Sequence, residues 1–141
     1  MKLVLDASVA LAWLFERQKA EEALCADRTL LAIADTETSV PALWHTEIAN
    51  ALLVGERRRV VTEAQVIDYL AKLSQLPIVT DDTPPANRRE LVMALAREHT
   101  LSAYDATYLD QALRLNAALA TFDGKLAAAM RRAGGTVFGD A

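Results

Sequence analysis

The feature that most constrains this chain is an alternation of hydrophobic period. Short β-like apolar runs at Lys2–Leu5, Ser39–Val40, Pro77–Thr80, Ala118–Thr121 and Thr136–Phe138 are separated by stretches with helical spacing. Strands interleaved with helices in this way predict an α/β fold, a three-layer α/β/α sandwich around a central, mostly parallel five-stranded sheet. The intervening helices are expected over residues 7–16, 19–26, 30–34, 43–58, 87–98, 103–115 and 124–132, with one more beginning after Thr62. Thr62 is a natural N-cap there, and Gln65 completes a capping box. Gly134 and Gly135 stop the helix over 124–132.

With 141 residues, 52% of them hydrophobic, the chain makes one domain spanning 1–141 and leaves no room for a second. No apolar run approaches the roughly 18 residues of a membrane span. The opening run from Lys2 to Phe15 is interrupted by Asp6 and closed by Glu16 and Arg17, which a signal peptide would not tolerate. One cysteine, Cys25, and two histidines are too few for a disulfide or the usual zinc frameworks, and a reducing, cytoplasmic setting fits. The net charge of −4 argues against nucleic acid at first sight. Of the 19 acids, however, four gathered in a metal site would leave 15 against 15 bases, a surface able to carry local basic patches.

Helical phasing shows which acids need explaining. In the helix over 103–115, Asp105 projects into an arc made by Tyr104, Tyr108, Leu109, Ala112, Leu113 and Leu115. Asp110 falls with Thr107, Gln111 and Arg114 on the opposite, polar arc. Glu47 lies among Leu43, Ala51 and Val54, and Asp123 shares a face with Leu126, Ala127 and Met130. Taken singly, Asp6 and Asp123 are explained as N-caps, each following a strand and preceding a helix, and Asp105 as the distal member of a capping box with Ser102. Glu47 has no such explanation, because a carboxylate in the middle of an apolar helix sector must be paired or bound. Taken together, the acids after two parallel strands open onto one crevice, and the two helix-borne acids can project toward it. Four carboxylates sharing a desolvated pocket repel, and a hard divalent cation relieves that repulsion; oxygen-only ligands favour Mg²⁺ or Mn²⁺.

Four segments, Leu3-Val4-Leu5-Asp6-Ala7-Ser8, Glu47-Ile48-Ala49-Asn50, Leu101-Ser102-Ala103-Tyr104-Asp105-Ala106 and Ala120-Thr121-Phe122-Asp123-Gly124-Lys125-Leu126, resemble in order and separation the PIN-domain family, specifically its VapC-like toxin branch. The resemblance covers essentially the whole chain. It implies a Mg²⁺- or Mn²⁺-dependent endoribonuclease with Asp6, Glu47, Asp105 and Asp123 as catalytic acids. Asp6 and Asp105 would be core metal ligands, Asp123 would join them directly or through a water, and Glu47 would orient or deprotonate the attacking water. It also implies a homodimer held inactive by a small cognate antitoxin. Ser8 and Thr121 flank the site and can orient a water or phosphate, or bond the local backbone. Arg57, Arg58, Arg59 and Lys125 are expected phosphate contacts, with Arg88, Arg89, Arg131 and Arg132 as further candidates, although Arg57–Arg59 is better explained as a solvated helix end that complements the macrodipole. Other acidic α/β folds fit less well: a haloacid-dehalogenase-like phosphatase would want Asp where Ser8 stands, and neither paired acids after the first strand nor an Asp-x-Asp pair is present. Two rival readings are a non-catalytic binding module on the same fold and a housekeeping RNA-processing nuclease.

Overall fold

The computed structural model describes residues 1–140. Four strands, β1 (Lys2–Leu5), β2 (Glu37–Val40), β3 (Ile78–Thr80) and β4 (Ala118–Ala120), form one sheet in the order β3-β2-β1-β4. Every pairing is parallel, with Leu3 opposite Thr38 on one side and Ala118 on the other. Seven helices cover it: α1 (Ala7–Leu11), α2 (Ala20–Ile33), α3 (Leu43–Arg57), α4 (Glu63–Leu73), α5 (Arg89–His99), α6 (Ala103–Leu115) and α7 (Gly124–Arg132). Leu3, Val4 and Leu5 point alternately to the two faces and are all 0% exposed, so β1 is covered on both sides. Among the described residues no helix is long and apolar enough to cross a membrane.

The fifth strand expected at Thr136–Phe138 is a single parallel bridge between Leu119 and Val137. Leu119 N–H donates to Thr136 and Phe138 N–H donates back to Leu119, both at 2.9 Å. Pairing goes no further because Gly139, at φ +95, turns the chain away from the sheet edge.

Tertiary contacts override helical periodicity at two places. The helix expected over 7–16 stops at Leu11, and the amides of Ala12, Trp13 and Leu14 make tighter bonds to residues three back. The Tyr69 hydroxyl of α4 donates to the Ala10 carbonyl at 2.6 Å and the Trp13 indole to the Ala26 carbonyl at 2.9 Å, fixing this segment between neighbours. Conversely, the two helices expected over 19–26 and 30–34 are one, α2, in which the buried Thr29 hydroxyl bonds the Cys25 carbonyl and so stays in helical register. The Thr62–Gln65 capping box forms as expected.

α3 presses Gly55 against the segment after α1. A Cβ there would stand 2.8 Å from the Phe15 ring and 3.1 Å from Val61 Cγ2. Gly55→Ala should therefore destabilise the protein by about 1–3 kcal/mol despite alanine's better helix propensity, measured by urea denaturation. A stabilised variant would show that Phe15 gives way freely.

Candidate active site

Strand order places the site before any side chain is considered. From β1 the chain builds outward through β2 to β3, then returns to the opposite side of β1 for β4. Between β1 and β4 the connections diverge, leaving a crevice outside the carboxyl ends of the strands. Asp6 follows β1 at that point, and Thr121, Phe122 and Asp123 follow β4.

Asp6 continues the ladder by one residue, its N–H donating to the Ala120 carbonyl at 2.9 Å. Its side chain makes no full capping hydrogen bond to α1, although the Ser8 amide lies near enough to favour its charged form. Instead Oδ2 accepts from Ser8 Oγ at 2.8 Å and from Thr121 Oγ1 at 2.6 Å. Both hydroxyls are anchored in turn: Ser8 Oγ accepts from Phe122 N–H at 3.1 Å, and Thr121 Oγ1 from Asp123 N–H at 3.0 Å. Ser8 and Thr121 thus orient Asp6 and lock the loop after β4 to the start of α1.

Asp123 does cap α7, Oδ1 accepting from Leu126 N–H at 2.9 Å, and is otherwise exposed. Asp105, in the first turn of α6, has its amide capped by Ser102 Oγ at 3.1 Å. Glu47, one turn into α3, accepts a short hydrogen bond from the Tyr108 hydroxyl of α6. Phasing assigned Tyr108 only to the apolar arc; its role as the partner of Glu47 was missed, since nothing local in the sequence links positions 47 and 108.

Electrostatics tie the four acids to one space. Burial raises the Asp6 carboxyl above its ordinary range, the Thr121 and Ser8 hydrogen bonds oppose this, and the Asp123 charge adds to it. Burial likewise raises Glu47, against the Tyr108 hydrogen bond and with the charges of Asp6 and Asp105. Asp105 is raised by burial, then by Asp123 and Asp6. Burial and the Glu47 hydrogen bond hold Tyr108 protonated far above its usual range.

Among the described residues no three His, Cys, Asp or Glu side chains are grouped so that they could hold a metal ion by themselves. The acids make no preformed cage. That suits Mg²⁺, which keeps several waters and is usually held by one or two carboxylates together with substrate phosphate oxygens. The donor set, carboxylates steadied by hydroxyls with no thiolate or imidazole, fits a hard cation and not zinc.

The PIN domain family model matches residues 3–131. This chain belongs to the PIN-domain family. The PIN domain is 29% identical over 127 residues to Ribonuclease VapC3 of Pyrobaculum aerophilum, an alignment that takes in 90% of this chain and 93% of that protein. Its fold is similar to the crystal structure of PAE2754 from Pyrobaculum aerophilum, with a TM-score of 0.64 and 25% identity across 92% of this chain and 84% of that one. It is also similar to FitAcB from Neisseria gonorrhoeae, with a TM-score of 0.63 over 96% of both chains; at 17% identity that likeness is one of fold alone.

Within this PIN domain the expected basic contacts are unequally placed. Lys125 is exposed in the first turn of α7, two residues from Asp123. Arg57, Arg58 and Arg59 are exposed at the far end of α3, with Arg57 about 15 Å along the helix axis from Glu47. The structure does not bring them to the acids.

The polar arc assigned to Asp110 and Gln111 is also corrected. Both are buried, 6% and 1% exposed, whereas Tyr104 is 66% exposed. Arg88 reaches Asp110 with two bonds of 3.1 and 2.7 Å, Arg114 pairs with Asp81, and Gln111 donates to Ser39 at 3.0 Å. A polar arc can face inward when such partners arrive from other segments.

Asp6, Glu47 and Asp105 are all raised by folding, which fixes the sign of a pH effect. Such groups favour the folded state fully below their unfolded values near 4, and that contribution is lost as pH rises through the higher folded values. In EDTA the melting temperature should therefore climb as pH is lowered from neutrality toward the unfolded values near 4. The climb should shrink in Asp6→Asn. A melting temperature that is flat or falling over that interval would contradict the shared crevice.

Proposed function

We propose that the chain, residues 1–141 acting as one nuclease domain, is a Mg²⁺- or Mn²⁺-dependent endoribonuclease and the toxin of a toxin–antitoxin pair. The observation that carries the reading is Asp6: a buried carboxylate held by two hydroxyls at the strand-order reversal, whose charge raises Glu47 and Asp105 and which is itself raised by Asp123. Kinship with Ribonuclease VapC3 supports RNA as the substrate.

In this reading Asp6 and Asp105 would hold the cation, with Asp123 joining them directly or through a water. A divalent cation supplies charge neutralisation and Lewis acidity at the scissile phosphate. Ser8 and Thr121 keep Asp6 Oδ2 fixed, so that Oδ1 faces the crevice. Glu47, whose proton affinity is raised by burial, takes a proton from the attacking water, and Tyr108 holds its carboxylate in place. Lys125 meets a neighbouring phosphate. Arg57–Arg59 contact a more distant stretch of the same RNA.

A groove of about 310 Å³ between α3 and α4, lined by Trp44, Ile48, Leu53, Val66 and Leu70, supports docking of a small antitoxin through an apolar helix. Homodimerisation is the remaining part of the proposal. Incubation with total cellular RNA and Mn²⁺ should give discrete fragments, abolished by EDTA, and expression of the chain alone should arrest growth. A chain that cuts no RNA with either metal would instead be a binding module.

A further inference from the structure

A cleft of about 430 Å³ lies between α2 and α7, with Thr121 and Asp123 of the candidate site on its wall. Phe122 and Phe138 give it half-buried ring surface, and the Arg17 guanidinium lies 4.9 Å from the centre of the Phe122 ring. The lining holds charges of both signs, and three of the seven are paired. Arg131 binds Asp140 through two bonds of 2.8 Å, and Arg17 engages Glu22 at 2.9 Å. Apart from Asp123, this leaves Glu21 as an acid without an ion pair among the described residues. Lys19 and Arg28 are the exposed cations on the rim without one. They lie at the start and middle of α2, about 13 Å apart along its axis, a span of more than one nucleotide.

Resting on the ribonuclease reading, we propose that this cleft seats the single-stranded RNA segment adjoining the scissile phosphate, with Lys19 and Arg28 on two non-adjacent phosphates and a base against the phenylalanine rings. Positive charge that tracks a backbone beside aromatic faces is the arrangement that holds single strands with little sequence preference. Electrostatic repulsion opposes entry of RNA at the four acids themselves, so flanking cations are needed to bring the strand in. The cleft thereby gives the substrate a direction, leaving the acids between α2 and α7.

The test uses the full chain carrying Asp6→Asn, so that RNA is bound and not cut. Binding of a fluorescent single-stranded oligoribonucleotide is followed by anisotropy over a range of salt concentrations. Lys19→Glu with Arg28→Glu should weaken binding at least tenfold at low salt, and the gentler Lys19→Gln with Arg28→Gln should make the slope of log affinity against log salt shallower by about 1.4, the value for two phosphate contacts on a single strand. Lys2→Glu with Arg97→Glu, an equal change of net charge on β1 and α5, should leave the slope unchanged. An unchanged slope in the cleft variants, or an equal change in the control, would overturn the inference.

In the otherwise unaltered chain the cleft substitutions should raise KM and leave kcat in place. Cleavage with normal KM in those variants would refute the cleft alone. RNA binding that depends on Lys19 and Arg28 in a chain that never cuts would keep the cleft and refute the nuclease.

Discussion

Asp6→Asn should lower metal-dependent RNA cleavage by about a thousandfold or more, a loss of about 4 kcal/mol of transition-state stabilisation, without making the metal-free protein less stable. Both halves follow from the same geometry. The asparagine carbonyl still accepts from Ser8 and Thr121, whose bonds to Asp6 are 2.8 and 2.6 Å, so the junction of β1 and β4 keeps its hydrogen bonds. At the same time, a buried charge repelled by Asp123 disappears. A cation that binds only the folded protein raises its stability by about 2.7 kcal/mol at a hundredfold excess over Kd, and this rise should vanish in the variant. The measurements are cleavage rate and melting temperature, each with and without Mn²⁺. Cleavage that survives the substitution would remove Asp6 from the chemistry and take the metal reading with it.

Glu47→Gln should separate proton transfer from metal binding. Losing a general base costs about 10²–10⁴ in rate. Glutamine can still accept from the Tyr108 hydroxyl, so α3 and α6 remain joined. The expected result is a collapse of kcat together with a normal Mn²⁺-induced rise in melting temperature. If that rise is also lost, Glu47 is a ligand and some other group handles the proton. Tyr108 belongs to the same test: with its proton held far above the usual tyrosine range, it donates to Glu47 at every working pH.

Much of the architecture was legible because the local rules agreed with one another. The Thr62–Gln65 box, the limits of α6 and α7, and the four strands all have signals within a few residues. What could not be read was decided by distant partners. Tyr69 and Ala26 fix the segment after α1, and Gly139 ends the pairing at Val137. Arg88, far from Asp110 in sequence, turns an arc that looked solvent-facing into an interior one. At the site, phasing singled out Glu47 and Asp105, whose carboxyls burial raises, because a carboxylate among apolar neighbours stands out in any window. It could not separate a cap from a ligand. Asp6 and Asp123 look alike in sequence, each between a strand and a helix, yet only Asp123 caps. Their difference lies in Ser8 and Thr121, which draw Asp6 away from α1.

The bond from Thr121 to Asp6 joins positions 115 apart, and β1 finds its β4 partner only when that stretch has been made. During synthesis the emerging polypeptide can pair β1, β2 and β3 in turn while Asp6 still lacks the Thr121 hydroxyl that orients it. The full anchoring of Asp6 is thus a late product of folding, completed only when β4 has docked beside β1.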